Sequence, residues 1–340
     1  MGAISALLLT KEKWPEFLGK ISGKQLFAPK RQGDRVYLAP LKEGELPDFD
    51  FQNTLVPPKA LVFPQTETLY RYRLGETEMK EPAIEGEAVL LGVRPCDGRA
   101  MQLVERLFCW DVDDPYYLKR RALVTVVGLA CSEPGLNCFC SSVGGGPAST
   151  EGLDLLMTDL GESFLLEPLT DKGRALLAEA GELLAEAPPE AVAQKEQIAA
   201  EAAARIKRSV DTAGIPEGLP RLWNDPLWQR HAAACLGCGT CTYLCPTCHC
   251  FDIQDEAEGT EARRLRVWDS CMFEEYTRHA SGHNPRPTRR ERTRNRISHK
   301  YSYYVQKFGI IACVGCGRCV NLCPVNIDLV EILRQVKEAL

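Results

Sequence analysis

The chain has 340 residues, room for two domains or three small ones, and is 45% hydrophobic and 26% charged. Such a chain can bury a core, which excludes wholesale disorder, and a formal net charge of −5 argues against a global polyanion-binding surface. No apolar run reaches the roughly 18 residues that span a bilayer; the early run 4–9 is too short for a signal segment and follows no basic stretch, so a soluble cytoplasmic protein is expected.

Residues 1–170 read as an α/β domain. Apolar runs at 36–38, 60–63, 88–93, 123–129, 153–157 and 164–166, most of them bounded by turn residues, predict strands. Between two of them, 98–108 (GRAMQLVERLF) carries Met101, Val104, Leu107 and Phe108 at helical spacing. Strand, helix, strand predicts a parallel or mixed sheet. Residues 171–225 turn to Ala, Glu, Leu and Lys, interrupted by Pro188 and Pro189. They read as a helical connector, one helix ending near 187 and another over 190–208, solvated or docking a partner. Residues 226–340 predict a mainly α-helical domain, with helices over 269–280 and 297–307 and a terminal helix over 328–340. Asp328 is placed to cap that last helix, and Leu329, Ile332, Leu333, Val336 and Leu340 share one face.

The 16 cysteines are too sparse for a disulfide scaffold and too many to be only small hydrophobes. Their spacing decides the chemistry. Cys235, Cys238, Cys241 and Cys245 follow C-x2-C-x2-C-x3-C and precede Pro246; Cys313, Cys316, Cys319 and Cys323 repeat the pattern before Pro324. One loop of this kind winds around three irons of a [4Fe-4S] cubane, and in two-cluster ferredoxins the fourth cysteine ligates the other cluster. That rule predicts one cluster on Cys235, Cys238, Cys241 and Cys323, and a second on Cys313, Cys316, Cys319 and Cys245. Gly237, Gly239, Gly315 and Gly317 let backbone N–H groups approach the sulfurs. Zinc prefers two separated C-x2-C pairs. The C-x3-C-x2-C spacing of Cys241, Cys245 and Cys248 is that of radical-SAM sites, but it lies inside the better motif and no β/α barrel surrounds it.

Four earlier cysteines form a further candidate set. Cys96 (in GVRPCDGRA) and Cys131 (in GLACSEPG) each follow a predicted strand, and Cys138 and Cys140 follow in NCFC. A third [4Fe-4S] cluster is the preferred reading; a zinc site and buried loop cysteines remain open. Cys109 is read as core, and Cys248, Cys250 and Cys271 as packing around a cluster, with metal binding alongside His249 as the alternative. Arg94, Asp97 and Arg99 beside Cys96 read as structural ion pairs before a substrate site. The six arginines of 285–296 read as a solvated run, a nucleic-acid patch, a docking surface, or charges that offset clusters of about −2 each.

Across most of its length the sequence resembles the iron–sulfur subunit family that includes the beta subunit of soluble sulfhydrogenases and the A subunit of anaerobic sulfite reductase. Related subunits accompany heterodisulfide reductases. The resemblance rests on GVRPCDGRA (92–100), NCFC (137–140), CLGCGTCTYLCPTCHCFD (235–252), WDSC (268–271), GHNPRPT (282–288) and CVGCGRCVNLCPVNID (313–328). It implies a helical two-cluster ferredoxin domain behind an α/β domain, and an additional N-terminal cluster in some members. The chain has no G-x-G-x-x-G, G-x4-G-K-[ST] or H-E-x2-H. The expected function is therefore single-electron relay between a flavin/NAD(P)H subunit and a catalytic oxidoreductase subunit: a hydrogenase, a sulfite reductase or a heterodisulfide-reductase-like enzyme. The alternative is an oxygen- or redox-sensing iron–sulfur module that contacts nucleic acid, against which the net acidity weighs.

Overall fold

The computed structural model describes residues 6–340; of the early run 4–9, residues 4 and 5 lie outside the described residues. In chain order the strands are β1 (Leu7–Thr10), β2 (Gln25–Gln32), β3 (Arg35–Pro40), β4 (Thr66–Arg73), β5 (Met79–Lys80) and β6 (Ala88–Val93). There follow β7 (Val124–Leu129), β8 (Leu155–Asp159), β9 (Ser163–Pro168), β10 (Ala185–Glu186), β11 (Phe251–Glu258) and β12 (Glu261–Trp268). Eight of them form a mixed sheet in the order β10-β1-β9-β8-β7-β6-β2-β3. The neighbours β2, β6, β7 and β8 pair in parallel, and the flanking strands pair antiparallel.

Central parallel strands bury both faces, which is why they read as unbroken apolar runs. Alternate residues go to opposite cores. Val89, Leu91, Val127, Leu129, Leu155 and Met157 face one, together with Phe17, Leu176 and Leu177 from covering helices. Leu90, Val124, Val126 and Leu156 face the other, against Met101, Val104 and Phe108 of the helix Pro95–Phe108. That helix is buried on two sides, because Ala100 and Leu103 pack with Tyr304, Ala312, Val314 and Cys316 of the C-terminal part.

Three expectations need correcting. Residues 60–63 belong not to a strand but to the short helix Lys59–Val62, because Pro58 at its N-cap, φ −57° and ψ −20°, starts a helical turn. The stretch 171–225 is not a free connector. Thr170 caps the helix Asp171–Ala180, whose Leu176, Leu177 and Ala180 are buried on the sheet, and Ile215, Leu219 and Leu222 already belong to the C-terminal core with Trp228. The helix Pro189–Arg205 between them is mostly exposed, burying Ala191 and Ala202.

The third correction concerns the mainly helical C-terminal domain, for the chain is mixed there too. Strands β11 and β12 form a hairpin, and β12 joins β4 in a second sheet of order β11-β12-β4-β5. Asp269 N donates to Cys250 O (3.0 Å) and prolongs the hairpin, so 269–280 holds only the 3-10 turn Glu275–Thr277 instead of a helix. The 297–307 stretch is helical as expected, continuing Arg289–Ser298 through a π-helical turn, His299–Tyr303. Asp328 caps Leu329–Glu338 by accepting from Val330 N (2.9 Å), although Leu340 is exposed. No helix among the described residues is long and apolar enough to cross a membrane.

A buried ion network ties the hairpin to the N-terminal half. Arg266 on β12 donates to Glu67 Oε2 on β4 (2.5 Å) and to Asp114 Oδ2 (2.5 Å), and Arg120 reaches Glu67 Oε1 (2.8 Å). The side chains of Arg266 and Glu67 are 3% and 0% exposed, so neither finds water if its partner is removed. Arg266→Met is expected to cost about 3 kcal/mol, because buried Glu67 keeps only Arg120 as a partner and Asp114 loses its guanidinium. A lower urea-unfolding midpoint checks this; an unchanged midpoint contradicts it.

Candidate metal centre

The two late cysteine runs fold alike. Gly237 and Gly239 in the first, and Gly315 and Gly317 in the second, have φ between +63° and +75°, a region side chains avoid. Each second glycine leads into one short helix, Thr240–Tyr243 or Arg318–Asn321, which carries the third cysteine of its run, Cys241 or Cys319. The two short helices pack together and bring Cys241 near Cys319.

Cys235, Cys238, Cys241, Cys319 and Cys323 line one cavity. Two cysteines of the second run, Cys319 and Cys323, thus stand in the same cavity as three of the first. Gly237 N lies 3.4 Å from Cys235 Sγ, and Ile327 N lies 3.2 Å from Cys323 Sγ, so backbone donors already point at sulfur. Met272, Ile297, Leu329 and Ile332 supply apolar wall, while Cys238 is exposed and Leu236 beside it is 57% exposed. Two buried donors on the wall, Thr293 Oγ1 and Arg296 Nε, have no partner.

The remaining members of the runs gather next to this cavity. Cys245 and Cys313 are close enough to act on the Cys319 thiol, which burial pushes up to about 11, and Cys245 acts on Cys316 as well. Lys300 anchors this set from below, donating to Thr247 Oγ1 (2.7 Å) and Ala312 O (3.1 Å), while Cys245 Sγ and Thr247 Oγ1 share a hydrogen bond (3.3 Å). Burial works against the ammonium, yet the Cys245 and Cys248 thiols hold its pKa above the ordinary lysine value.

The N-terminal set also converges. Cys96 follows β6 and Cys131 follows β7, and because these are adjacent parallel strands their carboxyl ends lie side by side. The 131–140 loop returns Cys138 and Cys140, and all four line one cavity together with Cys316. Contact with the second run is backbone to backbone. Phe139 N donates to Gly315 O (2.8 Å), and a Cβ on Gly315 would stand 2.5 Å from Cys140 N. Asn53 Nδ2 donates to Cys316 O across the same junction (3.0 Å).

Among the described residues no three His, Cys, Asp or Glu side chains gather closely enough to hold a single metal ion. The thiols are instead distributed around two cavities. That donor set, with unpartnered buried donors in the wall, fits a polynuclear iron–sulfur cluster better than a mononuclear ion.

Other expectations resolve individually. Cys109 is exposed at the end of its helix, not core, since Pro95–Phe108 stops before it. Cys250 and Cys271 pack beside Cys235 and Cys241. His249 approaches Thr247 O (3.2 Å) through Nδ1 and faces His299, their rings 5.3 Å apart. Arg94, Asp97 and Arg99 are all engaged: Arg94 with Ala130 O (3.1 Å), Asp97 with Arg318, and Arg99 with Val143 O (2.5 Å) and Glu151 (3.3 Å).

The arginine segment is not a solvated run. Arg292, Arg294 and Arg296 are buried, and Arg294 covers the Trp223 ring at 3.5 Å. Sequence reasoning missed which of them meets sulfur, and it missed Lys59, Lys300, Thr293 and Arg318. For Arg318 a signal was present, because it stands where the first run has Thr240 (CGRC against CGTC).

Residues 234–327 match the 4Fe-4S dicluster domain family, and the matched span contains all eight late cysteines. Two [4Fe-4S] clusters belong to such a domain. The chain is also 30% identical to sulfhydrogenase 2 subunit beta of Pyrococcus furiosus over 334 residues, 98% of each chain. No solved structure matches it significantly.

The Gly315 contact is testable against an internal control. Gly282 also has a positive φ, +83°, but open space around its Cα. Both Gly→Ala changes strain the backbone by about 1 kcal/mol; Gly315→Ala adds a clash worth roughly 2 kcal/mol more. Thermal denaturation is expected to show a clearly lower melting temperature for Gly315→Ala, and equal values contradict the close approach.

Proposed function

The chain belongs to the iron–sulfur electron-transfer subunit family that includes sulfhydrogenase beta subunits, and from that premise we propose that it relays single electrons between a flavin/NAD(P)H-binding subunit and a catalytic oxidoreductase subunit of a soluble cytoplasmic complex. A hydrogenase-type partner is the reading that the similar protein's name favours over a sulfite reductase or a heterodisulfide-reductase-like enzyme. The observation that carries the proposal is the crossing of the runs, with Cys323 lining the cavity of Cys235, Cys238 and Cys241.

In this reading Cys235, Cys238, Cys241 and Cys323 hold one cluster, and Cys313, Cys316, Cys319 and Cys245 hold the second. Cys96, Cys131, Cys138 and Cys140 hold a third, supported by their sharing one cavity. Bound clusters supply a one-electron valence change with little movement of atoms. The chain supplies everything else. Gly237 N and Ile327 N donate toward thiolate sulfur and favour added negative charge there. Met272, Ile297, Leu329 and Ile332 exclude water from the first cavity. Ion pairs and backbone bonds already occupy Arg94, Asp97 and Arg99, so the sheet's carboxyl edge offers no free substrate clamp there. The nucleic-acid alternative is weakened because three of the six arginines, Arg292, Arg294 and Arg296, are buried.

Anaerobic protein is expected to carry about eight irons with matching acid-labile sulfide from the dicluster domain, and about twelve with the third site. Cys96→Ser is expected to lose about four irons and one reducible EPR signal. Unchanged iron and spectrum contradict the N-terminal assignment. The isolated chain is expected not to consume hydrogen, sulfite or NAD(P)H; turnover by the pure chain contradicts the relay role.

A further inference from the structure

A buried guanidinium is costly unless an opposite charge compensates it. Arg318 and Arg296 sit at the two junctions between thiol sets, and they are compensated differently. Arg318 lies between Cys316 and Cys96, and Asp97 grips it with both oxygens, at 2.6 and 2.7 Å. Arginine and carboxylate are each 2% exposed, so this junction carries a closed ion pair with no net charge.

Arg296 has no such partner. It is 8% exposed, its Nη2 donates to Cys241 O (3.1 Å), its Nε is unpartnered, and it forms no ion pair among the described residues. It lines the cavity of Cys235, Cys238, Cys241 and Cys323. Cys241 and Cys319 line that same cavity beside it. Cys241 belongs to the first set of four, and Cys319 to the second. What balances this cation is sulfur from both sites at once.

We propose that Arg296 is an electrostatic hub shared by the two dicluster sites, a single uncompensated guanidinium that raises both reduction potentials together. The hub rests on the cluster assignment proposed above. Reduction adds one negative charge to a site shielded from water, and a fixed cation between the two sites favours that charge on either. Arg318, already neutralised by Asp97, is a structural clasp without this effect. Arg296 is a positioning residue that takes no electron itself.

EPR-monitored potentiometric titration of the anaerobic full-length chain, with iron content measured alongside, tests the hub. Arg296→Gln is expected to keep its iron and to move both dicluster midpoints to more negative potentials. Arg296→Lys, whose shorter side chain draws the charge back and loses the guanidinium fork, is expected to move both in the same direction by less. Arg289→Gln, exposed on the same helix, is expected to move neither. Full iron in Arg296→Gln with one midpoint or none displaced overturns the hub. If Arg296→Gln fails to load, Arg296→Lys decides by the same criterion: both midpoints displaced downward uphold it, and one or none overturns it. A wild-type chain that holds no iron overturns the cluster reading and the hub with it, before any variant is made.

Discussion

Cysteines packed this densely repel one another once they carry charge as thiolates, and a chain that brings them together must balance that charge from within. Here the balance comes from cations and dipoles, with few carboxylates in attendance. Arg296 and Lys300 are held charged by the thiols around them, and Lys59, lying over the Trp268 ring at 4.2 Å, donates to Cys248 O (2.5 Å). Burial lowers the Lys59 pKa to about 8 despite those thiols, so its charge is the least secure of the three. Glycines with positive φ shape both loops, and in the first Gly237 N points at Cys235 Sγ. Where a carboxylate does enter, as Asp97 does, it closes onto an arginine and stays out of the thiol cavities.

The same requirement explains why the two halves of the chain are not separable. The second cysteine run serves two cavities, because Cys316 lines the N-terminal cavity while Cys319 borders the first-run cavity. The loop that carries it must therefore dock closely on the 131–140 loop, and only Gly315 fits there. The helix Pro95–Phe108 is buried on both sides to make the junction, and the β11–β12 hairpin reaches back to β4. Arg266, Glu67 and Asp114 lock that hairpin through buried ion pairs. Fold stability and the geometry of the thiol sets thus rest on one interface.

What could be read from the sequence follows what is local. Strands β6, β7, β8 and β9 were legible because burial on both faces gives each an apolar run, and the Asp328-capped helix because its cap and the start of its stripe lie within one turn of each other. The dicluster domain was legible because ligand spacing is a property of a single loop. The β11–β12 hairpin was not, since its strands are dominated by charged residues whose partners lie across the hairpin, such as Arg264 with Asp255 and Arg263 with Glu256. Nor could the arginine segment reveal its inward face: a helix this rich in arginine reads as solvated until Trp223 and the thiol sets are placed beside it. Lys59 was hidden for another reason, since its sulfur-bearing neighbours lie far along the chain and its own segment reads as a strand.

The central claim is that the late thiols bind iron in two sets of four, each thiol on a separate iron, and do not converge on one ion. Mössbauer spectroscopy of anaerobic protein grown on iron-57 reads this directly. The account predicts that the dicluster domain gives the mixed-valence doublets of all-thiolate cubanes, converting toward a more ferrous spectrum on reduction. Isolated high-spin ferrous or ferric sites with tetrahedral sulfur ligation, unchanged in nuclearity on reduction, would contradict it.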